Sequence, residues 1–178
     1  IYREFMENMS GEIDRENAII SDLLTLVKLD RSENELNINS VNINDLLEKT
    51  LKMVRPLAKQ KNIELIMESY RPVIADVDDV KLSMAISNLV ENAVKYNNNE
   101  GWVHVSLNSD QTYFYIKVQD NGFGIPKDSQ EHVFDRFYRV DKARDRAAGG
   151  TGLGLAITKS IIIAHNGEIK LFSEEGVG

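Results

Sequence analysis

The sequence contains no cysteine, so disulfides and thiolate metal sites are excluded. It also has no signal peptide and no apolar run of about 18 residues, so we expect no membrane segment within it. Basic residues are outnumbered, with 21 Lys and Arg against 28 Asp and Glu, and the net charge is −7. Because duplex nucleic acid requires a basic surface, we expect no nucleic-acid partner. A local phosphate site built from backbone N–H groups remains compatible with this charge.

The first 30 residues have the apolar spacing of a single helix. Met6, Ile13, Ile20 and Val27 recur every seven residues, which is typical of a helix in a bundle. The alternative is a helix that packs on its own domain. A polar stretch at residues 31–40 indicates a linker, so we predict a bundle helix with its linker at 1–34 and a separate domain at 35–178.

Helical and strand patterns alternate in the second part and predict an α/β (α+β) fold. We expect helices at residues 44–61, 79–96 and 152–165, the first capped by Asn44. We expect strands at residues 41–43, 63–67, 73–75, 102–107, 113–118 and 169–172.

A polar stripe is predicted on the second of these helices. Asn88, Asn92, Lys95 and Tyr96 follow one another at spacings of four, three and one. An amide oxygen suits Mg²⁺, a lysine suits phosphate, and a tyrosine face can cover a base. Taken alone, the stripe also fits a helix surface that faces solvent.

Two glycine motifs follow. Asp120, Gly122 and Gly124 come directly after a strand, where a carboxylate can accept from an exocyclic amine and glycines allow close approach. The segment at 150–155, Gly-Thr-Gly-Leu-Gly-Leu, opens a helix whose N–H groups can receive phosphate. A simple turn and a flexible loop are the alternatives. Between them, Arg136 and Arg139 can reach phosphate or form a solvated basic surface.

These four segments, in this order, resemble the N, G1, F and G2 boxes of sensor histidine kinases. The resemblance implies a two-layer Bergerat sandwich of a mixed sheet and helices, preceded by one helix of a dimerisation bundle. It implies ATP and Mg²⁺ as ligands, with Asn92 as the metal ligand, Lys95 on phosphate, Tyr96 beside the base and Asp120 on the adenine amine. It also implies a lid over residues 139–149.

The same resemblance implies a wider set of site residues. Asn88, Asn92 and Lys95 are the implied catalytic residues. The implied nucleotide contacts are these three with Tyr96, Asp120, Gly122, Gly124, Ile125, Arg136, Tyr138, Arg139, Gly150, Thr151, Gly152, Leu153, Gly154 and Leu155.

The residue at position 88 favours phosphotransfer over ATP hydrolysis. Related ATPases of this fold place a glutamate general base four residues before the metal-binding asparagine, and here that residue is Asn88, which cannot take a proton. The family's phosphoacceptor histidine is followed by an acidic residue on a bundle helix. His104, His132 and His165 lack that setting, so we expect the acceptor on a helix outside these 178 residues.

Two other functions compete with this interpretation. One is a regulatory module that binds ATP without transfer, and the other is a serine kinase of the anti-sigma-factor type. The resemblance further implies a response regulator as partner, a homodimeric parent protein, and a cytoplasmic domain of a protein anchored in the bacterial membrane.

Overall fold

The computed structural model describes residues 2–30, 36–140 and 150–178. The helices are α1 (Tyr2–Asp30), α2 (Ile43–Gln60), α3 (Asp79–Lys95), α4 (Lys127–Gln130) and α5 (Gly154–Ala164). The strands are β1 (Asn39–Asn42), β2 (Glu64–Ser69), β3 (Ile74–Val77), β4 (Trp102–Ser109) and β5 (Phe114–Asp120).

A mixed three-stranded sheet forms one layer of the fold that follows α1. Its strand order is β2–β4–β5, with β2 and β4 parallel and β4 and β5 antiparallel. β1 and β3 form a separate antiparallel pair. The predicted strand at residues 169–172 is not formed, because that segment pairs with no other strand in the described part of the chain. This prediction was wrong.

The main core lies between the sheet and the helices α2 and α3. Alternate residues of β4, Val103, Val105 and Leu107, are almost fully buried on one face of the strand. Leu47 of α2 and Val90 of α3 are fully buried in the same cluster. Helices on one side of a mixed sheet form two layers, so the predicted α+β architecture is confirmed.

The start of α2 corrects the predicted cap. The N-cap is Asn42, whose side chain accepts from the backbone N–H groups of Asn44 and Asp45. Asn44 instead joins α2 to the segment before β3, because its Oδ1 accepts from Val73 N at 2.9 Å and its Nδ2 donates to Ser69 Oγ at 2.6 Å. Either asparagine fits the sequence rule for a cap, and only the tertiary contact distinguishes them.

Asp78 fixes the start of α3. Its carboxylate accepts from Lys81 N at 3.0 Å as the N-cap, accepts from Asn37 N at 3.0 Å, and pairs with Lys81 Nζ at 3.2 Å. Its own N–H donates to His165 Nε2 at 3.0 Å, and the other ring nitrogen of His165 lies 2.8 Å from Ile161 O at the end of α5. The beginning of α3 is thus tied to the end of α5.

α1 has two apolar faces with different surroundings. Leu26 is 1% exposed and packs with Ala85 of α3 and with Leu153 and Ile157 in a second cluster. The heptad row is exposed instead, and its members Met6, Ile13, Ile20 and Val27 are 61%, 53%, 56% and 47% accessible. One face of this helix therefore packs on the rest of the chain, and the bundle contact of the exposed heptad row stays a prediction. No helix among the described residues is long and apolar enough to cross a membrane.

Candidate nucleotide-binding site

The polar stripe of α3 meets the start of α5. Asn88 Nδ2 donates to the carbonyl of Gly154 at 3.2 Å, which brings the first and last motifs into contact. Lys95 Nζ pairs with Glu91 Oε2 at 3.3 Å, and the side chain of Glu91 also accepts from Ser87 Oγ. The half-buried Asn92 amide has no hydrogen-bond partner among the described residues, so its oxygen is available as a ligand.

The loop after β5 folds back onto the end of α3. Phe123 N donates to the carbonyl of Tyr96 at 3.1 Å, and Gly122 N donates to Asp120 Oδ1 at 2.9 Å. A Cβ on Gly122 would lie 2.5 Å from Tyr96 O and 3.0 Å from Asn97 Cα. Glycine is therefore required at position 122, because any side chain would push Asp120 away from Tyr96.

Asp120 presents a partly desolvated carboxylate. Burial raises the pKa of this carboxyl above its ordinary value, and the hydrogen bond from Gly122 opposes that shift. Oδ1 is occupied by the Gly122 N–H, and Oδ2 has no hydrogen-bond partner in the described part of the chain. One oxygen of a half-buried acceptor is thus available to a donor on a ligand.

Gly124 and Ile125 lie against the last residues of the chain. Gly124 has a φ of +66°, and a Cβ there would overlap the backbone of Glu174. Ile125 N donates to Ser173 Oγ at 2.8 Å, and Gly176 N donates to the carbonyl of Phe123 at 2.7 Å. The segment 173–178 therefore supports the loop that carries Asp120.

The second glycine motif is a turn that leads into α5. Gly152 has a φ of +75°, and its carbonyl accepts from Phe137 N at 2.9 Å. Thr151 Oγ1 donates to Asp22 of α1 at 2.7 Å and accepts from Leu153 N. Among the residues that the structure describes, no side chain caps the start of α5 at Gly154, so its first-turn N–H groups can receive an anion.

The remaining predicted site residues have varied surroundings. Leu153 is fully buried in the second cluster, so only its backbone can face a ligand, whereas Leu155, Gly150 and Tyr138 are partly exposed. Arg136 is exposed and Arg139 is half-buried, with its Cγ 3.3 Å from the position of a Cβ on Gly152. Residues 141–149 of the predicted lid lie outside the described residues.

Three asparagines beside the site were not predicted from sequence. Asn97 and Asn121 bond the backbone of Trp102 at the start of β4, and Asn98 bonds the carbonyl of Asn121 in the loop after Asp120. The only sequence signal was their position, since each lies within two residues of a predicted contact, Tyr96 or Asp120.

The donor set fits a metal held largely by phosphate oxygens. Among residues 2–30, 36–140 and 150–178, no group of three or more His, Asp or Glu side chains can form a metal cage. Mg²⁺ keeps several waters and is bound through one or two protein ligands together with substrate phosphates. The Asn92 amide, which has no partner among the described residues, fits that requirement.

Comparison with known proteins defines the class. The family described as histidine kinase-, DNA gyrase B- and HSP90-like ATPase matches residues 77–178. The chain belongs to this family, which confirms its recognition as an ATP-binding catalytic domain of the sensor histidine kinase type and confirms the Bergerat fold.

Individual relatives agree with this class. The chain is 38% identical over 177 residues to the sensor histidine kinase WalK of Bacillus subtilis (strain 168), covering 98% of this chain and 29% of that protein. It is 38% identical over 176 residues to the sensor-like histidine kinase SenX3 of Mycolicibacterium smegmatis, covering 99% and 46%. The structure of full-length ShkA in complex with AMPPNP superimposes with a TM-score of 0.83 at 25% identity, covering 98% and 36%. The chain thus spans less than half the length of these relatives.

Proposed function

We propose that this chain binds Mg²⁺-ATP and transfers the γ-phosphate to a histidine presented by a helix of the dimerisation bundle. The observation that carries the proposal is the contact between the stripe of α3 and the turn before α5, made by Asn88 and Gly154. That contact brings the amide of Asn88 to the start of α5, and Asn92 and Lys95 follow one and two turns further along the same helix, which supports a triphosphate site along this stripe. The AMPPNP bound to ShkA is a nucleotide of the same class.

The adenine end of the proposed site is formed by Asp120, Gly122, Gly124 and Tyr96. The open Oδ2 of Asp120 accepts from the exocyclic amine of adenine, and Tyr96 lies beside the base. A guanine carbonyl in the same position would face a carboxylate, so this contact discriminates between the two bases. The absence of a second donor to Asp120 in the described chain supports the assignment.

The phosphate end is formed by α3 and the start of α5. Lys95 turns from Glu91 to the phosphates, and the N–H groups of Gly154 and Leu155 receive a phosphate oxygen. Asn92 holds Mg²⁺, which neutralises phosphate charge when it is bound. Gly150, Thr151 and Gly152 shape the turn, and Arg136 and Arg139 add positive charge from the neighbouring segment.

Transfer to a protein group, rather than hydrolysis, follows from what surrounds Asn92. Asn88 is an amide bonded to Gly154, so it cannot activate water. Glu91, the nearest carboxylate on the helix, accepts from Ser87 Oγ and, one residue before Asn92, points about 100° away from it. Catalysis then consists of positioning an imidazole in line with the γ-phosphate and stabilising charge.

The partners follow from the same proposal. A response regulator receives the phosphate from the histidine, and the parent protein is a homodimer. The exposed heptad row of α1 supports the proposed homodimer, because an apolar face of this kind on a bundle helix is normally covered by a partner helix. We place the domain on the cytoplasmic side of a membrane-anchored parent protein.

Incubation of this chain with γ-labelled Mg²⁺-ATP tests whether the chain binds ATP while the acceptor histidine lies on a separate bundle helix. We expect nucleotide binding and no acid-labile, base-stable label, because His165 is bonded to Asp78 N and to Ile161 O and His132 pairs with Asp135. Adding the parent's own bundle with its histidine should produce such a label. Label on the chain itself, or none with the bundle present, would contradict the proposal.

A further inference from the structure

Two asparagine side chains, Asn97 and Asn121, hold the start of β4, and a third, Asn98, bonds the backbone of Asn121; we call these three residues the amide clamp. Asn97 is 2% exposed, and its Nδ2 donates to Trp102 O at 2.9 Å. The N–H of Trp102 donates to Asn121 Oδ1 at 2.7 Å. Asn98 Nδ2 donates to the carbonyl of Asn121 at 3.3 Å. Both backbone groups of Trp102 are therefore held by side-chain amides.

The clamp is closely packed as well as hydrogen-bonded. A Cβ on Gly101 would overlap the amide oxygen of Asn97 and approach Asn121 Oδ1 to 2.8 Å. The carbonyl of Gly101 meanwhile accepts from Glu64 N at 2.9 Å at the start of β2. The first residues of β4 are thus fixed from the sheet side and from the clamp side.

The clamp marks the point where the chain leaves the sheet. The ladder between β4 and β5 ends at Asp120, which pairs with Val103. One residue further, the side chain of Asn121 takes the Trp102 N–H, and the chain turns toward α3, where Phe123 N reaches Tyr96 O. Asn121 follows Asp120 directly and Asn97 follows Tyr96 directly, so the clamp ties together the two segments that carry these residues.

We propose that the amide clamp positions Asp120 and Tyr96 for the base of the nucleotide and thereby sets base specificity. This inference rests on the proposed function of Asp120. A hydrogen bond weakens steeply with misalignment, and a small displacement of a binding group has a large effect on recognition. Without the Asn121 side chain the loop loses its hydrogen bond to Trp102 N, and the open oxygen of Asp120 shifts relative to Tyr96. The clamp residues are positioning residues, since they act through Asp120 and Tyr96.

The ratio of two affinities measures this role. The Asn121→Ala variant is titrated with Mg²⁺-ATP and with Mg²⁺-tripolyphosphate, which lacks a base. We expect the ratio of ATP affinity to tripolyphosphate affinity to fall about tenfold, the effect of losing about one hydrogen bond. Partial unfolding weakens both ligands equally and cancels in the ratio.

Three further variants sharpen the test. Asn121→Asp keeps the acceptor for Trp102 N and should retain the ratio. Asn108→Ala removes an exposed asparagine at the other end of β4, whose Oδ1 accepts from the neighbouring Ser109 N, and should leave the ratio unchanged. Asn98→Ala removes the exposed member of the clamp and should lower the ratio about two- to threefold, as expected for its longer bond.

Coupling to Asp120 separates positioning from a general structural role. In the double variant with Asp120→Asn and Asn121→Ala, we expect no loss beyond that of Asp120→Asn alone, because both changes affect one contact. Additive losses, or an unchanged ratio in Asn121→Ala, would overturn the clamp proposal. If Asn121→Ala does not fold, an unchanged ratio in Asn98→Ala overturns it.

The failure of this inference is distinguishable from failure of the proposed function. If Asp120→Asn binds ATP as well as the unaltered chain does, the base contact is wrong and both proposals fall. If Asp120→Asn loses ATP affinity while the Asn121→Ala and Asn98→Ala variants keep it, the clamp proposal alone is overturned.

Discussion

At the scale of single residues, the partly buried carboxylate of Asp120 lowers the stability of the fold and provides an acceptor for a ligand. Burial raises the pKa of its carboxyl, so the folded chain holds the proton more tightly than the unfolded chain. Ionisation of Asp120 therefore lowers stability as pH rises from the ordinary carboxyl value toward the raised pKa. At neutral pH the ionised carboxylate therefore lowers the free energy of unfolding. The same ionised carboxylate is the acceptor that is available to a ligand.

The Asp120→Asn variant should separate the two effects. We expect its free energy of unfolding at pH 7 to equal or exceed that of the unaltered chain, because the amide removes a desolvated charge and still accepts from Gly122 N. The difference should shrink as the pH falls to the ordinary carboxyl value. Urea denaturation at several pH values measures it, and a variant that is less stable at pH 7 would contradict this account.

A second prediction at the scale of single residues concerns Asn92. The Asn92→Ala variant should weaken Mg²⁺-ATP binding at least roughly tenfold, since changes near a bound metal commonly cost that much. Nucleotide binding in the presence of a chelator should change little, because the amide has no other partner among the described residues. Calorimetry with and without Mg²⁺ compares the two conditions. Equal losses in both would exclude Asn92 as the metal ligand.

At the scale of elements, α3 is the helix that organises the site, and both its ends are held by tertiary contacts. Asp78 fixes its beginning through Lys81, Asn37 and His165. Lys61 fixes its end, because Nζ donates to the carbonyls of Val94 and Lys95 at 3.3 and 2.5 Å. Burial lowers the pKa of Lys61. The stripe of Asn88, Asn92 and Lys95 is therefore presented by a helix whose two ends are both hydrogen-bonded to other elements.

The Asp78→Ala variant should lower the free energy of unfolding by about 1–2 kcal/mol, the usual effect of removing a helix N-cap. Burial raises the pKa of Asp78, but hydrogen bonds from Lys81 and Asn37 outweigh it, and the pKa lies below the ordinary value. Its stabilising effect should thus be present at neutral pH and be lost as the pH falls through that lowered pKa. The Asp79→Ala variant, one residue further, is the control. Equal effects of both changes in urea denaturation would be inconsistent with the capping role.

Local patterns predicted the elements well, and their failures have physical causes. The period of α3 and the alternation in β4 are properties of the segment itself, so their positions were predicted closely. The cap of α2 and the strand at 169–172 depend on partners distant in sequence, and both predictions were wrong. The roles of Asn97 and Asn121 were missed for the same reason, because an asparagine beside a turn is ordinary loop chemistry until its partner is known.

At the scale of the whole molecule, one apolar face of α1 packs on the rest of the chain and the other apolar face is exposed. Leu26 packs on α5, and Asp22 bonds Thr151 in the turn before α5, so this helix contacts the proposed phosphate site directly. The exposed row at Met6, Ile13, Ile20 and Val27 faces away from that cluster. The sequence predicted this row as a dimerisation seam, and that remains a prediction.

Neighbouring residues on the two faces allow a matched comparison. The Leu26→Ala variant should lower the unfolding free energy by about 2–5 kcal/mol, whereas Val27→Ala should change it by less than about 0.5 kcal/mol. Sedimentation should show weaker self-association for Val27→Ala than for the unaltered chain. Equal stability of the two variants would mean that α1 does not pack on α5 as described.

The central claim is that this domain binds ATP with Asp120 as the adenine acceptor, and calorimetric titration tests it most directly. The unaltered chain should bind one Mg²⁺-ATP and discriminate against Mg²⁺-GTP, whereas Asp120→Asn should lose most of that discrimination while remaining folded. The account would be contradicted if the unaltered chain did not bind ATP. It would also be contradicted if Asp120→Asn preferred ATP over GTP as strongly as the unaltered chain does.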